Sequence, residues 1–459
     1  MFDWIFSSIW TFLLVLLFFG GSIFFHELGH FLAAKARGLK ILRFSVGFGP
    51  AILKFTRQDI EYRLGILPLG GYVALPQLAE MGRLEGSEEG DTNSGELPPI
   101  SYSDRVIVAV SGPFANILFA LVLSTGLWLF GRDVPASSMS TTIGHVVETL
   151  ELEDGSIVPS PAFNADLRTG DRVLSVDGKE PRDWMDLTYG ILAGSARDAE
   201  GNRLTRLKID RDGEILEKEV FPVLHTGERI RTIGIQPADT VVLYPTPDGP
   251  AAKAGVLEGD HLISLNGQPV QSFTLVSQII GESGGQPVQA TLQRGSQTIE
   301  LEITPTLQEH PERGQIYLIG VQMQPLWITV HIGPLTQIEQ MGRMVMVTLS
   351  GLINPRSDVK LRNLSGPVGI IHSIHRLSVE ITMLIWFVTF LNINLAILNL
   401  MPIPVLDGGH IMFATINKVR GRPLPRRILE TVQGAFMILL LFGLMVFLTY
   451  HDIRRIFFE

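Results

Sequence analysis

His26-Glu27-Leu28-Gly29-His30 closes an uncharged run, residues 5–25, that is long enough to enter a bilayer, and this position decides the fold. At 3.6 residues per turn the two histidines share one helix face, so their imidazoles can hold one Zn²⁺, with Glu27 beside them and within reach of the metal's water. The chemistry this proposes is metal-assisted hydrolysis. The bland alternative is a chance meeting of two histidines and a glutamate on a polar helix face. It fits poorly here, because a carboxylate deep in a membrane helix costs about 2.5–3.5 kcal/mol on insertion scales. Three ionisable groups in one apolar span need partners, and a metal with its water supplies them.

The rest of the chain agrees with a membrane setting. It has 459 residues, 46% of them hydrophobic and only 18% charged, with positive mean hydropathy, which is too apolar for a purely soluble protein and long enough for several domains. The net charge of −9 and the lack of a long Lys/Arg stretch with interleaved aromatics give no sign of nucleic-acid binding. With no cysteine, disulfides, thiolate ligands and a cysteine nucleophile are excluded, which leaves His, Asp and Glu as zinc ligands.

The N-terminal run starts with Asp3 in place of a basic region and has no convincing cleavage site, so it reads as an uncleaved first span. Lys35, Arg37, Lys40 and Arg43 follow it closely and place the end bearing the histidines towards the cytoplasm. Residues 106–130, 381–406 and 431–450 are further uncharged stretches of spanning length. Four spans put both termini outside. The loop carrying Lys418, Arg420, Arg422, Arg426 and Arg427 falls in the cytoplasm on the same rule, with Arg454 and Arg455 weakly against it. The third stretch contains Pro402 and Pro404, so its end should leave helical geometry, which membrane depth tolerates only inside protein or beside water.

Between the second and third spans, Gly170-Asp171-Arg172-Val173-Leu174-Ser175-Val176-Asp177-Gly178 repeats as Gly259-Asp260-His261-Leu262-Ile263-Ser264-Leu265-Asn266-Gly267. Each copy is a Gly-Asp turn, an alternating β segment and a closing Asp-Gly or Asn-Gly turn. The pattern resembles a tandem pair of PDZ domains, whose usual chemistry is to add a peptide strand to a sheet edge. Residues 41–75 alternate around Phe44, Val46, Phe48, Ile60, Tyr62, Leu64 and Ile66 and are punctuated by Gly47, Gly49, Gly65, Gly70 and Gly71, a pattern of β strands in a re-entrant loop beside the metal site. Its edge, around Phe44, Gly65, Gly70, Gly71 and Tyr72, is a candidate for holding a substrate extended. Residues 338–353 are too short and polar to cross and are expected to lie along the interface. Residues 80–96 read as an acidic, mobile cytoplasmic loop.

Catalytic zinc usually takes three protein ligands and leaves one position for water. Asp407, in Asn399-Leu400-Met401-Pro402-Ile403-Pro404-Val405-Leu406-Asp407-Gly408-Gly409-His410, is the candidate third ligand, since the topology returns it to the side of His30. Two alternatives stay open: Asp407 as the cap of a helix starting near Gly408, and His410, one turn away, as ligand or supporting group. His372 and His375 fall at the opposite end of the third span and read as ordinary interface residues.

Together the His-Glu-x-x-His, Gly112-Pro113-Phe114-Ala115-Asn116, the tandem repeats, Ser365-Gly366-Pro367-Val368-Gly369 and Asn399…Pro402-x-Pro404-x-x-Asp407-Gly408 resemble the site-2 intramembrane metalloproteases over essentially the whole chain. Within them they look most similar to the bacterial RseP (regulator of sigma-E protease) group. The resemblance implies one Zn²⁺ per chain on His26, His30 and Asp407, with Glu27 as base, and contacts from Asn399, Asn394 and the Pro402 segment to substrate backbone or oxyanion. It implies single-span substrates such as anti-sigma factors and remnant signal peptides, shortened first by another protease, with the PDZ pair as a size filter. It also implies a multi-pass protein of the bacterial inner membrane, with the PDZ-like domains extracytoplasmic.

The expected fold is a polytopic α-helical membrane protein with four transmembrane helices, a membrane re-entrant β loop and two extracytoplasmic β-rich PDZ-like domains. Its divisions are 1–36 (first span), 37–77 (β loop), 78–103 (cytoplasmic loop), 104–131 (second span), 139–238 and 239–327 (PDZ-like domains), 328–378 (amphipathic segment), 379–408 (third span), 409–428 (cytoplasmic loop) and 429–451 (fourth span). Two other functions compete: a PDZ-bearing membrane scaffold or sensor with a structural metal, and a membrane zinc hydrolase of lipids or small amides. An open zinc position and an intact Glu27 argue against the scaffold.

Overall fold

The computed structural model describes residues 2–78, 100–152, 155–194, 196–224, 231–310, 314–354, 357, 359–377 and 380–457. Most of the expected loop 78–103 lies outside these residues. The chain divides into two compact units: residues 1–132, 330–346 and 361–459 form one, and residues 133–329 and 347–360 the other.

In the first unit, α1 (Phe2–Ala36) and α2 (Tyr102–Phe130) are the longest helices. Lipid offers no partners for backbone groups, so an apolar run of this length must satisfy them internally as a helix. Ser101 starts α2, its Oγ accepting from the Asp104 amide at 3.1 Å. The two helices touch backbone to backbone, for a Cβ on Gly29 would overlap the Ser111 carbonyl. Between them, β1 (Arg43–Arg57) and β2 (Ile60–Ala74) form an antiparallel hairpin that folds back on itself. Arg43–Val46 pairs with Gly71–Ala74 on one side and with Glu61–Leu64 on the other. Phe44, Ile60 and Val73 anchor it in a shared core with Phe31, Ala34 and Val108, while Ile52, Leu53, Phe55, Leu64 and Ile66 stay exposed.

After the second unit the chain returns as α3 (Pro334–Ile353), α4 (Pro367–Leu377), α5 (Ile381–Asn399), α6 (Asp407–Arg420), α7 (Arg426–Ile438) and α8 (Met445–Phe457). The front of α3, expected to lie at the interface, packs Met341 against Ala120 of α2 and Ile393 of α5, and Gln337 donates to the Ser124 carbonyl at 3.1 Å. The Ser365–Gly369 motif also finds its partner. Asp452 of α8, fully buried, accepts from the amides of Gly366 (3.2 Å) and Gly369 (2.8 Å) and so caps α4 from outside its own sequence. A Cβ at Gly369 would stand 2.7 Å from Asp452 Oδ1, which explains glycine there.

Among the described residues, three helices are long and apolar enough to cross a membrane: Leu16–Ala36, Tyr102–Phe130 and Ile381–Asn399. The expected fourth span, residues 431–450, is divided. A π-helical turn, Leu439–Leu444, separates α7 from α8, so neither part reaches spanning length alone. α5 stops at Asn399 because Pro402 and Pro404 cannot continue it.

The second unit contains two β lobes built on one plan. The first has β3 (Arg172–Val176), β4 (Thr205–Arg211) and β5 (Glu214–Val220) in the order β3-β4-β5. The second has β6 (Val241–Pro245), β7 (Asp260–Leu265), β8 (Val288–Arg294), β9 (Gln297–Ile303) and β10 (Val321–Pro325) in the order β9-β8-β7-β6-β10. Helices Trp184–Ala193 and Phe273–Glu282 occupy matching places and are capped by Asp183 and Ser272. The turn residues Asp177 and Asn266 both have φ 49° and both accept from the strand opposite, from the amides of Arg206 and Gln289.

An ion pair that the repeat did not disclose occurs in both lobes. Asp171, 1% exposed, receives Arg211 Nε at 2.7 Å and Nη2 at 2.8 Å, and Asp260, also 1% exposed, receives Arg294 in the same fork at 2.8 and 2.7 Å. Arg211→Leu strands a buried carboxylate and is expected to destabilise its lobe by about 3 kcal/mol. Hydrogen exchange of the β3–β5 amides in the full-length protein should then accelerate about a hundredfold while β6–β10 stay protected; equal rates in both would show the pair to be dispensable.

Candidate metal centre

α1 carries Ser22, His26 and His30 on one face, four residues apart, with Glu27 beside them. Asn392 of α5 donates to Ser22 Oγ at 2.9 Å, which ties α5 to α1 one turn before His26. From there α5 ends at Asn399, and the turn through Pro402 and Pro404 brings the chain back to Asp407. Gln433 of α7 donates to the Pro404 carbonyl at 3.4 Å. Cβ atoms on Gly408 and Gly409 would overlap the carbonyls of Met401 and Ile403, so this return fits only glycine.

Asp407 sits in the first turn of α6, but Leu406 is the N-cap and no side chain caps that end. The carboxylate instead faces the two imidazoles, which rules out the capping alternative for its side chain. Asp407 Oδ2 lies 3.3 Å from His26 Nε2, Oδ1 lies 3.4 Å from His30 Nε2, and the two Nε2 atoms are 3.2 Å apart. Ligands on a tetrahedral Zn²⁺ at about 2.0–2.1 Å stand roughly 3.3–3.4 Å from one another. The separation of the two Nε2 atoms is close to that edge, each imidazole meets one of the two Asp407 oxygens at a similar spacing, and one ligand atom from each of the three residues lies within 4.8 Å of the others. Glu27, His30 and Asp407 are buried, and Asp407 Oδ2 has no hydrogen-bond partner, an expense that a cation would remove. One ligand atom each from His26, His30 and Asp407 makes the only such group among the described residues. His410, His372 and His375 are not in it.

α2 supplies the surroundings. His30 Nδ1 lies 2.7 Å from the Val108 carbonyl, which fixes that nitrogen as the protonated one and leaves Nε2 free to bind. A Cβ on Gly112 would overlap His30 Nε2, so only glycine leaves room for the rings. Asn116, fully buried, is 3.2 Å from His26 Nδ1. The motif Gly112–Asn116 was visible in sequence, yet its contact with the histidines was not. Spacing offers the one clue: Val108, Gly112 and Asn116 are each four residues apart and share a stripe of α2.

The hairpin reaches the site through a glycine. A Cβ on Gly71 would stand 2.7 Å from Glu27 Cγ and 2.8 Å from the Ser45 carbonyl, so β2 passes directly against the candidate base. The side chains of Phe44 and Tyr72 point elsewhere: both are buried in the core, and Tyr72 OH accepts from Arg43 Nη1 at 3.1 Å. From those two positions only the backbone is left to receive a partner. Gly65 is buried and Gly70 half-buried. Asn394 and Asn399 are half-buried on α5, and Pro402 is exposed in the turn that follows it.

Two imidazoles and a carboxylate converging among apolar helices, with a glutamate next to the first histidine, define a membrane-embedded zinc metalloprotease. Residues 14–443 match the description Peptidase family M50, and the chain belongs to that family. It is 30% identical to Protease RseP of Yersinia pestis, over 96% of this chain and 98% of that one. It is 27% identical to the Regulator of sigma-E protease RseP of Escherichia coli K12, over 96% and 98%. A Neisseria meningitidis protein whose name contains the words zinc metalloprotease is 28% identical over 94% and 96%.

Proposed function

We propose that this protein cleaves single-span membrane proteins within their transmembrane segments, in regulated intramembrane proteolysis. The observation that carries this reading is the burial of His30, Glu27 and Asp407, with His26 half-buried beside them, among apolar helices and next to a β strand. A substrate helix hides its peptide bonds in its own hydrogen bonds and must unwind to be cut, so its freed groups need new partners. The β1–β2 hairpin offers backbone for strand addition at Gly70–Tyr72, next to Glu27. Its exposed Ile52, Leu53, Phe55, Leu64 and Ile66 suit a re-entrant loop lying in lipid.

His26, His30 and Asp407 hold one Zn²⁺, which when bound supplies Lewis acidity and a water acidified to a pKa of about 7. Glu27 takes a proton from the nucleophilic water and passes it to the leaving amine. Asn399, and secondarily Asn394, contact substrate backbone or the developing oxyanion ahead of the Pro402 turn. The two β lobes act as PDZ-like domains that bind peptide or filter substrates by size. The name of the Escherichia coli relative supports anti-sigma-factor-type substrates, and remnant signal peptides share the same single-span form. In this reading α7 and α8 jointly form a fourth span, the active site lies near the cytoplasmic face of the inner membrane, and the lobes and both termini lie outside.

The test uses the full-length protein in detergent with a single-span peptide. Cleavage is expected inside the apolar segment, mapped by mass spectrometry. Asp407→Ala is expected to lower the zinc-to-protein ratio from one towards zero and to stop cleavage. Cuts confined to residues outside the span would defeat the substrate reading, and an unchanged zinc ratio would move the third ligand elsewhere.

A further inference from the structure

We infer that Asn116 is a positioning residue that fixes the tautomer and the angle of His26, an inference that rests on the ligand set proposed above. The Asn116 amide sits 3.2 Å from His26 Nδ1 through the atom placed as Nδ2, while its Oδ1 is buried with no partner. The oxygen and nitrogen of an amide are told apart only by their hydrogen-bonding neighbours. His26 aims Nε2 at Asp407 Oδ2 and at His30 Nε2, at 3.3 and 3.2 Å, so Nε2 is the atom that must present a lone pair to the metal. A neutral imidazole then carries its proton on Nδ1, and the group facing Nδ1 must accept it. The amide turned by 180° does so, placing Oδ1 where Nδ1–H can donate to it.

His30 obeys the same rule with a backbone acceptor, the Val108 carbonyl. The stripe Val108, Gly112, Asn116 on α2 therefore performs three tasks at successive turns: a carbonyl for one ring, clearance for both, and an amide oxygen for the other. Acceptors behind metal-binding histidines orient the ring and raise its basicity, and losing one typically costs 10–100-fold in metal affinity.

The test compares full-length wild type, Asn116→Leu, Asn116→Asp and His26→Ala in detergent. Zinc affinity is read by chelator competition, the His26 tautomer by ¹⁵N chemical shifts, and folding by melting of the metal-free protein. Asn116→Leu keeps the volume and loses the acceptor, so zinc affinity is expected to fall about 10–100-fold and His26 to lose its uniform Nδ1–H form. Asn116→Asp keeps an acceptor and is expected to recover wild-type affinity. A residue that only fills space would give the opposite order, since leucine packs and a buried carboxylate does not. Should Asn116→Leu melt lower, the aspartate variant decides: recovered affinity upholds the role and continued loss overturns it. Zinc lost in His26→Ala but kept in Asn116→Leu overturns the role of Asn116 and leaves the ligand set intact. Zinc kept in both overturns the ligand set and this inference with it.

Discussion

Glu27→Gln is expected to bind zinc at the wild-type ratio and to cleave a single-span peptide about 10³-fold more slowly, within the 10²–10⁴ range of general acid–base catalysis. Glutamine has the shape of glutamate and can still donate and accept hydrogen bonds, but it cannot take up a proton. Glu27 is outside the converging ligand group, so its loss leaves the metal-binding atoms in place. Its backbone is held by α1, and Gly71 of the hairpin packs on its Cγ, so the replacement has no freedom to swing away. Zinc analysis and the cleavage rate, measured on the same preparation, separate the two roles. Turnover that persists at the wild-type rate would remove Glu27 as the base, and a simultaneous loss of zinc would make it a ligand instead.

Gly112→Ala should abolish tight zinc binding, with affinity falling at least about a hundredfold and proteolysis falling with it. The added methyl would overlap His30 Nε2 and stand 2.6 Å from His30 Cε1 and 2.8 Å from His26 Cε1. Neither neighbour can yield cheaply. His30 is fixed by its bond to the Val108 carbonyl, and α2 cannot retreat without opening the contact between Gly29 and Ser111. Gly126→Ala on the same helix provides the control, since nothing lies within 4 Å of its added Cβ. That variant should bind zinc normally and gain up to about 1 kcal/mol of helix stability. Equal zinc affinity in the two variants would mean that the rings have room which the geometry denies them.

What could be read from sequence was whatever depends on spacing within one element. His26, Glu27 and His30 follow from helical period, and Asp407 from the parity of membrane crossings, and the structure brings the three ligand candidates within 4.8 Å of one another. The end of α5 at Asn399 follows from the two prolines. Hidden from sequence was everything set by contact between elements. The histidine partners on α2 depend on how closely two helices approach, and a pair of glycines is a weak sign of that. Asp452 capping α4 joins positions 83 and 86 residues apart, with no local pattern to announce it. The Arg211 and Arg294 forks lie beyond the repeated motif that marks their aspartates. The π turn at Leu439–Leu444 interrupts a run that composition alone reads as continuous. The alternation marks Phe44 and Tyr72 as part of a strand edge, but it does not say which side is covered, and both side chains are buried.

The proposed third ligand arrives late. His26, Glu27, Gly112 and Asn116 all precede residue 130, whereas Asp407 follows about 280 residues afterwards. At the 5–20 residues per second of protein synthesis, that gap is roughly 15–55 s. On that ligand set, the chain made by the start of that interval holds two of the three metal-binding groups and lacks the third. On the proposed ligand set, the order of residues along the chain would act as a timer, leaving the protease without its metal site until nearly all of its own chain has been made.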